Sequence, residues 1–552
     1  MLDKADEART RATRTGPRLD FQEHLADLEA AGLVERIDTP INKDTELHPL
    51  VRWQFVGGVP EDKRKAFIFT NVTDAKGRKY DIPVVVGALS ASPEIYAMGM
   101  GRKVEEIGDA WMQAINHPIA PVRVSSAPCQ DVVITGDGLK APGGLASLPV
   151  PVSTPGFDSA PYLTATLCVT RDPETGVQNM GTYRAGLKAA DRLAVRMVAR
   201  EATGAGGFLH WQKYRERKER MPIAIVIGAA PIVVFTGPQK LAIDLDEMGV
   251  AGGLAGEPIR MVKCKTIDLD VPADSEIVIE GLIDCEKLEP EAPFAESNGY
   301  VALEAFNMPM DVTAITRKKK PVFCSIISQV TPSESSVIKK VAYEPLFLAH
   351  LRDHLAIKGV TRVAMHERLT NLRPVIFIQI TAGTPRTEVW RALHGASTLM
   401  SNCGKIVVAV SDDIDPTSVD AVLWCLAYRS NPVQDVQLVP YRGGVQGAQY
   451  GPNQSDSSML IDATRKRPMA PLALPTREHM EHAREMWERL GLHPLTVTAP
   501  WHGYHLGDWT ETWEKFAKRA AVGDWELSGE ETLKRQRGGD IMPETSVRAV
   551  EK

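Results

Sequence analysis

Glu291 and Glu296 stand five residues apart in Glu291-Ala-Pro-Phe-Ala-Glu296-Ser-Asn-Gly-Tyr300, and upstream lies a second polar cluster, Asn179-Met-Gly-Thr-Tyr-Arg184. Together they supply two carboxylates, an amide and a fixed cation, the equipment of a site that handles a carboxylate and a proton. Seventy acidic residues in 552 make the spacing alone commonplace, and a solvated loop is its blandest account. Pro293 between the two glutamates rules out one shared helical face and points to an irregular, positioned loop. In such a loop a partly buried carboxylate beside an arginine stays ionised while its neighbour can hold a proton, which separates anchor from acid.

The elements that must position these groups are readable in outline. Asp20 caps a first helix whose stripe is Phe21, Leu25 and Leu28, with Glu23 at the capping-box position and Gly32 as the stop. Strands and helices then alternate to about residue 120. A proline-rich passage, with Pro142, Pro149, Pro151, Pro155 and Pro161, opens a new, β-rich region. There Tyr162 to Thr170 reads as a strand, Asp172 to Gly176 as a turn and Val177 to Tyr183 as the returning strand, which places Asn179 and Arg184 on or just beyond a hairpin arm. A helix is expected from Ala189 to Arg200, strands at Ile223 to Ile227 and at Ile232 to Phe235, and a sheet edge at Ser275 to Ile283 leading to the glutamates. From residue 326 the pattern is α/β again. Pro374 to Thr381 and Lys405 to Val410 read as buried strands, and Asp415-Pro416 as the start of a helix carrying Val422, Trp424 and Leu426. Thr476 to Leu490 reads as an amphipathic helix, and the chain beyond Glu526 as a polar tail.

Composition narrows the class. A chain of 552 residues with 43% hydrophobic and 24% charged residues is ordinary globular material, too long for one core. A net charge of −6 leaves no basic footprint for nucleic acid. Seven scattered cysteines, none in a Cys-x-x-Cys pair, argue against a disulfide framework or thiolate zinc site and for a reducing, cytoplasmic setting. The polar N-terminus lacks a secretory apolar core, and the longest apolar stretch, Met221 to Gly237, is cut by Pro222, Gly228 and Pro231, so no membrane span is expected. No Walker loop and no Gly-x-Ser-x-Gly elbow occurs.

Over nearly its whole length the chain resembles the UbiD family of reversible decarboxylases, which use prenylated flavin mononucleotide. The likeness runs through Leu19 to Ile37, Asn179 to Arg184, Pro222 to Gly228, Val271 to Gly281, Glu291 to Tyr300, Lys405 to Asp415 and Ile461 to Thr464. It implies a multi-domain α/β (α+β) fold in three parts: an N-terminal α/β domain over 1–120, a split β-barrel binding prenylated FMN over 121–325, and a C-terminal α/β assembly domain with a polar tail over 326–552. Position by position, Arg184, Glu291 and Glu296 match a catalytic Arg–Glu–Glu network. Arg184 would bind the substrate carboxylate or organise the flavin–substrate contact, Glu296 would protonate the carbon that loses CO₂, and Glu291 would hold Arg184. Asn179 and Glu247 match ligands of a divalent ion (Mn²⁺ or Mg²⁺) bridging to the flavin phosphate, with K⁺ as a further ion. The resemblance also puts Thr182 and Tyr183 among the cofactor-binding positions, and Lys405 matches a phosphate-contacting lysine.

One departure stands out. Where the family places a histidine ligand, this chain reads Arg196-Met-Val-Ala-Arg200-Glu201, so Glu201 or water takes that place ahead of His210. The implied substrate is an aromatic or α,β-unsaturated acid, with an aromatic acyl-CoA such as phthaloyl-CoA as a bulkier option. Lys213, Arg215, Arg217, Lys218 and Arg220 could meet CoA phosphates, although Glu216 and Glu219 between them favour a mixed-charge surface. A separate flavin prenyltransferase would supply the cofactor, and a homo-oligomer, dimer or hexamer, is expected. Two other classes stay open: a non-catalytic scaffold or subunit of a multi-subunit carboxylase, and a flavin-free metal hydrolase. Trp501-His502-Gly-Tyr504-His505 reads as packing or a subunit contact.

Overall fold

Asp20 accepts the N–H groups of Gln22 and Glu23 and so begins the helix Phe21–Ala30, which buries Phe21, Leu25 and Leu28 as its periodicity requires. The fold is that of a computed structural model, which describes residues 16–197, 206–239, 241, 245–291, 293–297, 299–365, 375–400, 403–442, 456–495 and 507–536. The helix packs beside a four-stranded sheet in the order Val34–Ile37, Ala66–Phe69, Val84–Val86, Phe323–Ser325. The last strand returns from far along the chain to complete this N-terminal layer.

The chain forms two compact units, one built up to Leu346 and one from Phe347 onward. At the heart of the first is a ten-stranded antiparallel sheet. In chain order its strands are β1 (Val132–Thr135), β2 (Tyr162–Leu163), β3 (Thr166–Arg171), β4 (Gln178–Gly181), β5 (Ala185–Ala189), β6 (Arg192–Val195), β7 (Met221–Ile227), β8 (Ile277–Ile283), β9 (Glu289–Glu291) and β10 (Ala305–Arg317). Across the sheet the order is β4-β3-β7-β8-β10-β6-β5-β2, with β1 and β9 also paired to β10. No hydrogen bonding among the described residues joins the end strands into a closed barrel. The expected β3–β4 hairpin is present, with Asn179 opposite Thr170. β7 and β8 are almost wholly buried. Ser275 to Ile283, expected at a sheet edge, instead supplies the inner strand β8, paired with β7 on one side and β10 on the other and covered on both faces.

Three further local expectations are corrected. Ala189 to Arg200 does not begin as a helix. Its described part is the β5–β6 hairpin, because Leu193 and Val195 bury fully in register with Met310 and Met308 of β10. Tertiary pairing here overrides the helix preference of Ala, Leu and Arg. Ile232 to Phe235 lies in a short buried helix, Pro231–Thr236, with Pro231 at its first position; periodicity cannot separate a buried strand from a buried helix in so short an apolar run. The helix predicted to open at Asp415 opens at Val419, capped by Ser418, while Asp415 closes a turn by accepting the Thr417 N–H at 3.0 Å.

The second unit carries a five-stranded sheet, in the order Val360–Met365, Val375–Ile380, Ile406–Ser411, Asp456–Asp462, Val436–Arg442. Its three inner strands are parallel and its two edges antiparallel. The amphipathic segment near the C-terminus is the helix Arg477–Arg489, and the polar tail begins with the helix Trp525–Leu533. All seven cysteines are buried, and no disulfide joins them among the described residues. Among the described residues no helix is long and apolar enough to cross a membrane.

Candidate active site

Two hairpins bring the reactive groups together. Arg184 immediately precedes β5 and Arg196 immediately follows β6, and the Arg196 N–H donates to the Arg184 carbonyl at 3.0 Å, so the two arginines face each other at the open end of one hairpin. Glu291 ends β9. Five residues on, Glu296 heads a tight turn in which its N–H donates to the Tyr300 carbonyl (2.9 Å) and Gly299 takes φ +89°. Phe294–Ala295 and Val301–Ala302 pair beneath that turn. The loop is irregular, as Pro293 demands, and Asp158 pins it by accepting the Ala295 N–H at 3.0 Å and the Thr154 N–H at 2.7 Å.

Arg184 is the centre. Its Nε and Nη2 donate to the two oxygens of Glu291 at 2.8 and 3.1 Å, and its Nη1 donates to Glu296 Oε1 at 2.7 Å. The Phe294 ring covers one face of the guanidinium, with its centroid 4.4 Å away. Burial works against the charge, but the hydrogen bonds and charges of Glu291 and Glu296 outweigh it and hold Arg184 more firmly protonated than a free arginine. The Glu291 side chain is wholly buried, and its Oε2 also accepts from Asn307 Nδ2 at 2.7 Å. Tyr162, tilted against Phe294 at 4.3 Å, is pushed up to about 12 by burial and by the charge of Glu291, so it stays a neutral phenol. Arg184, Glu291 and Glu296 thus form one contiguous cluster.

A second group lies at the end of β4. Glu247, first residue of the helix Glu247–Ala255, accepts the Met180 N–H at 3.2 Å beside Asn179, and burial pushes its carboxyl up to about 7. The Asn179 amide nitrogen is buried and makes no well-oriented hydrogen bond among the described residues. Its oxygen packs so close to Gly206 that a Cβ there would come within 2.0 Å. Tyr183 accepts the Gly207 N–H at 3.2 Å and is pushed up to about 12 by burial. Thr182 is exposed, its hydroxyl standing against Gly237. The Asn179 amide oxygen and the Glu247 carboxyl, which burial makes reluctant to ionise, bring two oxygen donors of the kind a hard cation takes to the end of β4. No cluster of three or more His, Cys, Asp or Glu side chains suited to a metal occurs among the described residues.

Glu201, proposed as third ligand, and Trp501 to His505 lie outside the described residues. His210 donates to or accepts from the Thr170 hydroxyl at 2.8 Å, and burial lowers its proton affinity, which is how a packed histidine behaves. Lys405 lies in the second unit, where its ammonium pairs with Asp456 at 2.9 Å. Of the basic run, Lys213 pairs with Asp172 and Glu174, Arg217 donates to the Pro173 carbonyl, and Arg220 pairs with Asp311. Sequence reading missed Asn307, Phe294, Tyr162 and the contribution of Arg196. The glutamate pair drew attention to Phe294 without giving it a role, and the others become neighbours only through strand register.

Models of the three UbiD domains, described as the N-terminal, Rift-related and C-terminal domains of 3-octaprenyl-4-hydroxybenzoate carboxy-lyase, match residues 25–115, 121–330 and 336–463. The chain therefore belongs to the UbiD family and is a carboxy-lyase of that class. An evolved dimeric form of the UbiD-class enzyme HmfF from Pelotomaculum thermopropionicum, solved in complex with prFMN, is 28% identical with a TM-score of 0.69, covering 81% of this chain and 95% of its own. Vanillic acid decarboxylase from Sedimentibacter hydroxybenzoicus, in its open form, shares the fold at 23% identity and a TM-score of 0.71, covering 86% of this chain and 99% of its own. By sequence, the uncharacterized protein sll0936 of Synechocystis sp. is 27% identical over 519 residues, 89% of this chain and 96% of the relative.

Proposed function

We propose that this protein is a prenylated-FMN-dependent, non-oxidative decarboxylase of an aromatic or α,β-unsaturated carboxylic acid, able to run as a carboxylase under high CO₂. The observation that carries the reading is the Glu291–Arg184–Glu296 cluster, in which a buried carboxylate fixes an arginine and the arginine fixes a second carboxylate at 2.7 Å. Expelling CO₂ from an unsaturated carbon leaves an electron pair that no side chain can accept, and a bound prenylated flavin supplies that sink. The protein supplies the rest. Glu291, steadied by Asn307, locks Arg184, and Arg184 orients Glu296, which delivers the proton to the carbon that has lost CO₂. Phe294, backed by Tyr162, covers one face of the Arg184 guanidinium with apolar surface.

Asn179 and Glu247 would hold a divalent ion, Mn²⁺ or Mg²⁺, at the flavin phosphate, with K⁺ as an additional ion. Thr182 and Tyr183 would complete the cofactor contacts of this unit. A separate flavin prenyltransferase would provide the cofactor, and a dimeric or hexameric cytoplasmic assembly is the working form. The HmfF relative carrying prFMN supports this cofactor. Among substrates, a simple aromatic acid is favoured over phthaloyl-CoA, because Lys213, Arg217 and Arg220 are already engaged by neighbouring acidic and carbonyl groups. The test is co-expression with a flavin prenyltransferase, mass analysis of the released cofactor and a CO₂-release screen of aromatic acids. Prenylated FMN at near one per chain with CO₂ release is expected; a folded, colourless protein without flavin overturns the reading.

A further inference from the structure

Arg196 has no place in the Arg–Glu–Glu network, yet it stands beside both carboxylates. Its Nε lies 3.5 Å from Glu296 Oε1 and its Nη1 lies 3.9 Å from Glu291 Oε2. Both are ion-pair separations longer than the 2.7–3.1 Å bonds of Arg184, and no hydrogen bond from the Arg196 side chain is found among the described residues. Arg184 is the reverse case. Three of its five donors are used, at 2.7 to 3.1 Å, and Phe294 covers one of its faces. Side-chain exposure agrees: 22% for Arg196 against 11% for Arg184. One arginine of the pair is closed, and the other is an open fork.

Opposed like charges across a hairpin destabilise it unless something answers them. Glu291 and Glu296 answer two arginines only while both carboxylates are charged. Once Glu296 carries the proton it must deliver, the four groups hold one positive charge in excess, and a single anion restores the balance.

We propose that Arg196, not Arg184, is the residue that receives the substrate's carboxylate. The inference rests on the decarboxylase reading and specifies how that site takes its substrate. A planar fork with free donors matches a carboxylate's two oxygens. A carboxylate held there is a near neighbour of Glu296, so the departing group and the arriving proton share one side of the reacting carbon. In the balanced step the bond from carbon to carboxylate breaks, CO₂ leaves, and the proton of Glu296 takes its place on carbon. Arg184 keeps the acid in position throughout.

The test uses full-length protein co-expressed with a flavin prenyltransferase and two isosteric probes, benzoate and benzamide, titrated calorimetrically. Wild type should prefer the anion by about tenfold or more, the worth of one charge-assisted contact. R196Q should bring the preference close to one while leaving benzamide binding unchanged. If R196Q does not fold, R196K decides: a point charge in place of the fork should lower the preference severalfold. A wild type indifferent to charge, an unchanged preference in R196Q or R196K, or an equal loss of both probes overturns the proposal. Cofactor mass and CO₂ release are read separately, so failure of the decarboxylase reading is distinguishable from failure of this assignment.

Discussion

Arg184 meets Glu291 edge to edge, two parallel N–H···O bonds of 2.8 and 3.1 Å binding a guanidinium to a carboxylate with no solvent exposure. Such a pair is costly to break from one side, because the partner is left charged and buried. R184A should lower the free energy of unfolding by about 3–5 kcal/mol, measured by urea titration, and abolish CO₂ release. An R184A protein as stable as wild type would mean that Glu291 has another partner for its charge.

Glu296 is the more exposed of the two carboxylates; Arg184 holds it by a hydrogen bond at 2.7 Å and Arg196 stands 3.5 Å away. E296Q keeps the shape and removes the proton. CO₂ release should fall by roughly 10²–10⁴-fold, with bound flavin and the thermal midpoint unchanged. A rate within a factor of about two of wild type removes Glu296 from the chemistry.

Asn307 is tested by removal and by charge. N307A leaves one Glu291 oxygen short of a donor, with an expected loss of about 1–3 kcal/mol in stability and a slower turnover. N307D places a third carboxylate against Glu291 and should be worse than N307A on both counts. Equal stability of the two variants would show that the contact is not felt.

Glu334 sets a pH dependence remote from the chemistry. It is fully buried, accepts the Ile327 N–H at 2.8 Å, and burial pushes its carboxyl up to about 8. A carboxyl raised on folding stabilises most where both folded and unfolded chains keep it protonated. That contribution is complete below the ordinary carboxylate value and is lost as pH rises toward about 8. Between about pH 5 and pH 8 the wild type should lose stability relative to E334Q, by at most about 1.4 kcal/mol per pH unit. Parallel curves for the two proteins would refute the assignment.

The proposed cation site predicts a ligand-dependent stability. Mn²⁺ at about a hundred times its dissociation constant should add about 2.7 kcal/mol to wild type. E247Q and N179A should lose that increment and retain less flavin, read by metal and flavin content after gel filtration. Full metal content in E247Q would place the ion elsewhere.

How much of this was written in the chain depends on the range of the interactions. Asp20 as cap, the Asp172–Gly176 turn and the β3–β4 hairpin are local events, so residue types at short spacing carried them. The glutamate pair was visible too, since Pro293 fixes a loop wherever it occurs. The β5–β6 hairpin was not, because its alanines, leucine and arginines prefer a helix, and only pairing with β10 reverses the choice. Asn307 and Arg196 were hidden for the same reason: 16 residues separate Asn307 from Glu291, and Arg196 is set against the glutamates only by register on a shared strand.

That shared strand has a consequence for how the site can change. β10 carries β6 along one edge, Val195 facing Met308, and β9 along the other, Glu291 facing Ala305. The spacing of the arginines from the glutamates is therefore written into a few residues at the start of one strand. Loops around the site can be lengthened, shortened or exchanged to admit other acids while that yardstick stays fixed. A one-residue slip at Ala305–Met308 would instead move both arms at once and dismantle the cluster without touching any residue in it.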